Sequence, residues 1–211
     1  MKPTKKNQPI WIVTDVDGTL MDHKYDLTPA LDTIELLKKN KIPIILCTSK
    51  TASEVREIRS EIGLRDPFIV ENGGAIYGNA LDSDSEWELI LGRNYKELRG
   101  ILNQISKDIE YELRPLNELK LIEIKELTGL DDEQISLALD RHWSVPFLTP
   151  PDQYTDKLVK LKTKYGVNIY KGNRMSHLLD KNSHKGKAIN KLKEFLGIKS
   201  VYVIALGDSQ N

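Results

Sequence analysis

From its first ordered-looking residues the chain alternates short apolar runs with longer amphipathic stretches. Residues 10–14 (Ile-Trp-Ile-Val-Thr) are apolar on both faces, which predicts a strand covered on both sides, as in a parallel sheet. Thr28-Pro29 reads as the opening of a helix, a cap residue followed by a proline in the first turn. Ala30, Ile34 and Leu37 supply its apolar face toward Asn40. Residues 42–47 form a second apolar run. Thr51-Ala52-Ser53-Glu54 has capping-box spacing and opens a helix that carries Val55, Ile58 and Ile62 and ends at Gly63. Residues 67–70 begin a third strand. Strand and helix alternating over short connections predict βαβ units, hence an α/β fold with a parallel sheet and helices on both faces.

The pattern loosens after the turn cluster Glu71-Asn72-Gly73-Gly74. Helices are predicted over 95–109, 131–141 and 153–165, with short strands at 87–91, 145–148, 167–170 and 175–179. This stretch reads as an inserted α+β domain, residues 83–180, between a first core part, 1–82, and a second, 181–211. The first pattern returns with a helix from Ser183 toward Leu196, stopped by Gly197, and a strand over 200–206.

Composition narrows the options without choosing among them. A hydrophobic fraction of 39% and a charged fraction of 29% over 211 residues fit a globular chain rather than a disordered one. With 31 basic and 31 acidic residues the formal net charge is zero, so neither a nucleic acid nor an anionic membrane is the expected partner. No apolar stretch reaches spanning length. Basic residues 2–6 lead into no apolar segment, so no secretory signal is read there. The single cysteine, Cys47, reads as a buried strand-end thiol, and a reducing cytoplasm is the expected location. The pattern carries no expectation about oligomeric state.

Chemistry concentrates where strands and helices of the first pattern begin or end. Asp15 and Asp17 follow the strand at 10–14, and Gly18-Thr19 turns the chain away behind them. Two carboxylates at a strand end are costly unless they meet a cation or do chemistry. Thr48-Ser49-Lys50 follows the second strand, where a hydroxyl can hold a phosphate oxygen. His184-Lys185-Gly186-Lys187 opens a helix, where an ammonium and free N–H groups suit an anion. Gly207-Asp208-Ser209 brings one more acid to a strand end. A hard cation such as Mg²⁺ takes one or two carboxylates plus phosphate and water, and these parts suit phosphoryl transfer. Each residue taken alone has an ordinary reading as a turn, cap or surface group; their joint order points to function.

Asp15-Val16-Asp17-Gly18-Thr19, Thr48, Lys185 and Gly207-Asp208-Ser209-Gln210-Asn211 resemble the four ordered motifs of the haloacid-dehalogenase-like phosphohydrolases. The insert between the second and third motifs resembles the subgroup with a large α/β cap. Within it, Glu71 to Tyr77, Leu127-Thr128-Gly129-Leu130, Arg141 with Ser144-Val145-Pro146-Phe147, and Gly172-Asn173-Arg174 with His177 are similar to the mannosyl-3-phosphoglycerate phosphatases. The resemblance implies a Rossmann-like core and a Mg²⁺-dependent phosphatase acting on a phosphorylated sugar–glycerate. It implies Asp15 as nucleophile and Asp17 as proton shuttle. Thr48 and Ser49 would hold the phosphoryl group, with Lys185 offsetting its charge. Asp15, Asp17 and Asp208 would form the metal site, Asp17 through its backbone carbonyl. Arg141, Arg174 and His177 are the implied substrate contacts in the cap.

In the family the fourth motif continues with a further Asp and more of the core. Here the sequence ends at Asn211: either the product is truncated or the chain is a fragment, and if it is complete the core sheet is expected to lack an edge and the metal site to be weakened. Three alternatives accompany the leading expectation: a glucosyl-3-phosphoglycerate phosphatase, another sugar-phosphate phosphatase of the subgroup, or a non-catalytic phospho-ligand binder.

Overall fold

The computed structural model describes residues 8–22, 25–80, 85–171 and 175–208. The chain begins with β1 (Ile10–Thr14), α1 (Leu31–Lys39), β2 (Ile44–Leu46), α2 (Ala52–Glu61) and β3 (Phe68–Val70), then forms β4 (Ala75–Asn79) and β5 (Glu86–Ile90). An inserted layer follows: α3 (Tyr95–Ile109), α4 (Leu121–Thr128), α5 (Asp132–Leu139), β6 (Ser144–Leu148), α6 (Thr155–Tyr165), β7 (Val167–Lys171) and β8 (Met175–Asp180). It closes with α7 (Lys185–Phe195) and β9 (Tyr202–Leu206).

The α/β expectation holds. β1 lies between β2 and β9 and runs parallel to both. The parallel bridge Cys47↔Ile69 and the bond from Thr48 N to Ile69 O (3.0 Å) attach β3 beside β2. From β3 the sheet continues antiparallel through β4 to β5. The segment predicted as a strand at 87–91 is therefore paired with β4, on the β3 side of the molecule.

Alternation along each strand divides the core between two faces. Ile44, Leu46, Phe68 and Val70 pack with Ile34, Val55 and Ile58 from α1 and α2. Trp11, Val13, Ile45, Cys47 and Ile69 pack with Ala188 and Leu192 from α7. The thiol of Cys47 is buried, and burial pushes its pKa up to about 12, so it behaves as a small core residue.

In the inserted layer β8 sits between β6 and β7, antiparallel to both. Asn94 and Glu97 form a capping box at the start of α3, and Leu98, Leu102, Ile105 and Ile109 place one stripe against Val145, Phe147 and Leu178. Each such buried side chain is worth about 1.5–3 kcal/mol relative to exposure. Pro146 is tolerated because β6 is an edge strand, and its partner in register is His177.

Two local expectations are corrected. Thr28 does not cap a helix. Its N–H donates to Asp26 Oδ1 (2.8 Å), a 3-10 turn spans Thr28–Ala30, and α1 starts only at Leu31. The N–H groups that a Thr28 side chain would cap are taken by backbone carbonyls instead, Ala30 N by Leu27 O (2.9 Å) and Leu31 N by Thr28 O. Helix α4 was not expected. Leu121 and Ile122 point outward while Ile124 is buried, so its apolar residues make no clean helical stripe.

Candidate active site

Every strand of the parallel set ends on the same edge, and that edge collects the predicted residues. Asp15 follows β1 directly, and its N–H donates to Leu206 O (3.0 Å), tying it to the end of β9. Val16 O then accepts from the N–H groups of Thr19, Leu20 and Met21 (3.3, 3.0 and 2.8 Å), a tight turn that needs Gly18 at φ +68°. A Cβ on Gly18 would stand 2.9 Å from Asp208 Oδ2, so the glycine leaves room for that carboxylate beside the Asp15–Asp17 loop.

Asp15 accepts from Val16 N through Oδ1 (2.8 Å) and from Lys185 Nζ through Oδ2 (2.5 Å). The pair is mostly shielded, with side-chain exposures of 15% and 12%. Lys185 is the first residue of α7, whose N-terminus His184 caps by accepting from Gly186 N through Nδ1 (3.0 Å). Thr48 is fully buried at the end of β2. Its Oγ1 accepts from Lys50 N (3.2 Å), and its carbonyl accepts from Asn72 N (2.9 Å).

Asp17 has a different environment from Asp15. Its Oδ1 lies 3.1 Å from Lys50 Nζ as an ion pair, yet receives no well-directed hydrogen bond. Burial raises its pKa above the ordinary carboxylate value, and the Lys50 ammonium offsets part of that rise. Lys50 also meets Glu54 Oε1 (3.2 Å), the capping-box glutamate of α2. Burial pulls the Lys50 ammonium down, but Glu54 and Asp17 outweigh it and hold its pKa above the usual lysine value.

Above Asp17 lies a cavity of about 310 Å³, lined by Ser49 and Lys50 below and by Arg141, Pro146, Met175 and His177 above. Arg141 Nη1 donates to Ser49 O (2.8 Å), so the inserted layer touches the 48–50 loop directly. His177 presents a solvent-shielded Nδ1 with no partner; burial, helped by Arg141 and Lys185, pulls its pKa down to about 3. The ring is neutral at ordinary pH.

The structure thus gathers Asp15, Asp17, Thr48, Ser49, Lys185 and Asp208 at one edge, with Arg141 and His177 facing them. Arg174, Ser209, Gln210 and Asn211 lie outside the described residues. Two further residues take part that the residue pattern did not single out. Lys50 stood in the Thr48-Ser49-Lys50 cluster, where the hydroxyls carried the expectation and the lysine was given no role, although its place after two hydroxyl residues was a usable signal. Glu71 looked like part of a turn. Among the described residues no three His, Cys, Asp or Glu side chains converge as a metal cage. Mg²⁺ does not require one: the Asp208 carboxylate held beside Gly18, together with Asp15 and a backbone carbonyl, fits its preference for few carboxylates and several waters.

An acid pair first, a hydroxyl second, then a lysine and a last acid after an inserted layer: this order on a parallel sheet defines a roofed α/β hydrolase. A family model for haloacid dehalogenase-like hydrolases matches residues 12–112 and 130–211, and the chain belongs to that family. It is 34% identical, over 95% of its length and 78% of the relative's, to a glucosyl-3-phosphoglycerate/mannosyl-3-phosphoglycerate phosphatase of Persephonella marina. A protein of the same name from Methanococcoides burtonii is 35% identical over the same shares. The fold is similar to that of a phosphatase of the haloalkanoate (HAD) enzyme superfamily from Bacteroides thetaiotaomicron, with a TM-score of 0.69 at 15% identity, covering 97% of this chain and 79% of that one. The chain is accordingly an enzyme of the phosphoric monoester hydrolase class.

Proposed function

We propose that the enzyme hydrolyses mannosyl-3-phosphoglycerate to mannosylglycerate and phosphate, with the glucosyl substrate as the nearest second reading. The observation that carries this is the pairing of two unlike aspartates, Asp15 held by Lys185 and Asp17 raised by burial, the latter on the wall of a cavity that also holds Lys50 and Arg141. The names of the two relatives join both sugars, which is why the glucosyl substrate is kept. The cap in this reading is the stretch expected at 83–180, less β5, which pairs with β4 and stays with the core of 1–82 and 181–211. A cytoplasmic location belongs to the same reading and rests on Cys47, a free buried thiol.

In the first step an Asp15 carboxylate oxygen forms a bond to phosphorus as the bond to the glycerate oxygen breaks. Asp17, protonated, delivers its proton to that oxygen, and the glycosylglycerate leaves. In the second step Asp17, now ionised, takes a proton from water whose oxygen attacks phosphorus, and the acyl-phosphate bond to Asp15 breaks. A raised Asp17 pKa suits the first role, because the acid must still hold its proton at working pH. Lys185 and the Thr48 hydroxyl balance charge on the transferring group, with Ser49 beside them. Mg²⁺, held by Asp15, Asp208 and the Asp17 carbonyl, would neutralise phosphoryl oxygens. Arg141 suits the glycerate carboxylate and neutral His177 a sugar hydroxyl, with Arg174 assigned to the same group by resemblance.

The test is phosphate release from synthetic mannosyl- and glucosyl-3-phosphoglycerate, with Mg²⁺ and with chelator. Release from either, dependent on Mg²⁺, is expected. Turnover of other sugar phosphates alone would overturn the substrate assignment, and ligand binding without any turnover would point to a non-catalytic binder.

A further inference from the structure

Glu71 is 1% exposed, and its carboxylate is spent entirely on the inserted layer. Oε1 accepts from His142 N (2.9 Å), and Oε2 accepts from Trp143 N (3.1 Å) and from Ser144 Oγ (2.5 Å). Its backbone serves the opposite side. Glu71 N donates to Lys50 O and Asn72 N to Thr48 O, both at 2.9 Å. To do both, residues 71–73 take successive left-handed conformations, with φ of 46°, 57° and 90°. Two non-glycine residues in that region cost energy, and the surroundings must over-determine them. A Cβ on Gly73 would come within 2.6 Å of the His184 carbonyl carbon, so the same turn also rests on the start of α7.

One link runs from Glu71 to the cavity. Ser144 Oγ donates to Glu71 and accepts from Arg141 Nη1 (3.3 Å), the same nitrogen that donates to Ser49 O. Arg141 Nε is held by Ala138 O (3.1 Å). These bonds fix the plane of the guanidinium on the cavity wall, at a set offset from buried Thr48.

We propose that Glu71 is a positioning residue for substrate selection: it locks residues 141–144 onto the 48–50 loop and holds Arg141 at a fixed distance from the phosphate subsite. The site then favours phosphomonoesters that carry a carboxylate one short spacer away from the phosphate. This deepens the reading given above and rests on its assignment of a carboxylate-bearing substrate. A glutamine cannot replace the glutamate, because its NH₂ group would face an N–H that cannot reverse direction.

The experiment is calorimetric titration, with Mg²⁺ present, of 3-phosphoglycerate and of glycerol 3-phosphate, which replaces the carboxylate by a hydroxymethyl group. Binding is compared for the native protein, Glu71→Gln and Ser144→Ala. The native protein is expected to prefer 3-phosphoglycerate by about tenfold or more, the value of a charge-assisted bond. In Glu71→Gln the preference should fall to within about threefold, with glycerol 3-phosphate affinity much less affected. Ser144→Ala keeps the backbone bonds to Glu71 and should give an intermediate ratio, and it carries the test if Glu71→Gln does not fold. A preference retained in the variants, or both ligands weakened equally, would overturn the positioning role. No preference in the native protein would instead overturn the carboxylate substrate, and the inference with it.

Discussion

The Lys50 ammonium stands 3.1 Å from the Asp17 carboxylate, opposing the burial that raises the pKa of that acid. The two effects set the pH at which Asp17 still carries a proton. Replacing Lys50 with methionine removes the opposing charge, so the Asp17 pKa should rise further. The alkaline limb of kcat/KM is expected to move to higher pH. A pH–rate profile of Lys50→Met checks this, and an unmoved limb would detach Lys50 from the proton chemistry.

Asp15→Asn and Asp17→Asn should separate the two carboxylates. Loss of the nucleophile is expected to lower kcat by more than about a thousandfold. Loss of the proton shuttle should cost about 10²–10⁴-fold. Rapid-quench measurement with a substrate bearing a good leaving group adds a distinction: Asp17→Asn should still accumulate acid-precipitable phosphoenzyme, and Asp15→Asn should not.

His177 gives a stability signature. Its folded pKa is about 3, against 6.5 for a free ring. Below pH 6.5 the unfolded chain takes up a proton that the folded chain refuses. The contribution of the neutral ring is therefore fully present above pH 6.5 and is lost as pH falls toward 3. Thermal melts of His177→Phe should show a shallower decline over that window than the native protein. Equal slopes would place the ring in solvent.

Gly18→Ala tests the metal-side geometry. The new methyl would meet Asp208 Oδ2 at 2.9 Å, and the φ of +68° adds about 1–2 kcal/mol of left-handed strain. The variant should need a higher Mg²⁺ concentration for half-maximal phosphate release. An unchanged Mg²⁺ titration would mean that Asp208 does not hold the ion.

The core strands were legible because strands covered on both faces leave unbroken apolar runs, and Asp15, Thr48, Lys185 and Asp208 stand at their ends or at a helix start. Helix α3 was legible from a single apolar stripe. Helix α4 was not, because Leu121 and Ile122 face outward and break the apolar stripe, leaving only short cap signals, Glu123 on Lys120 N and Gly129 at the end. The cap role assigned to Thr28 failed because the N–H groups its hydroxyl would take are bonded to backbone carbonyls, Ala30 N to Leu27 O and Leu31 N to Thr28 O. Glu71 was opaque for a different reason. A glutamate beside Asn-Gly-Gly reads as turn polarity, and its partners His142 to Ser144 are distant in sequence, where no local pattern reaches.

Lys185 and Asp15 are 170 residues apart, yet they meet at 2.5 Å. Forming that contact closes a loop containing most of the chain, and such contacts are made late because chain entropy opposes them until local structure has formed. During synthesis the acid pair therefore leaves the ribosome long before its lysine does. With the roles proposed above, the chemistry becomes available only once the inserted layer has been made and passed over, so the first appearance of activity in a growing chain would also report that its two halves have come together.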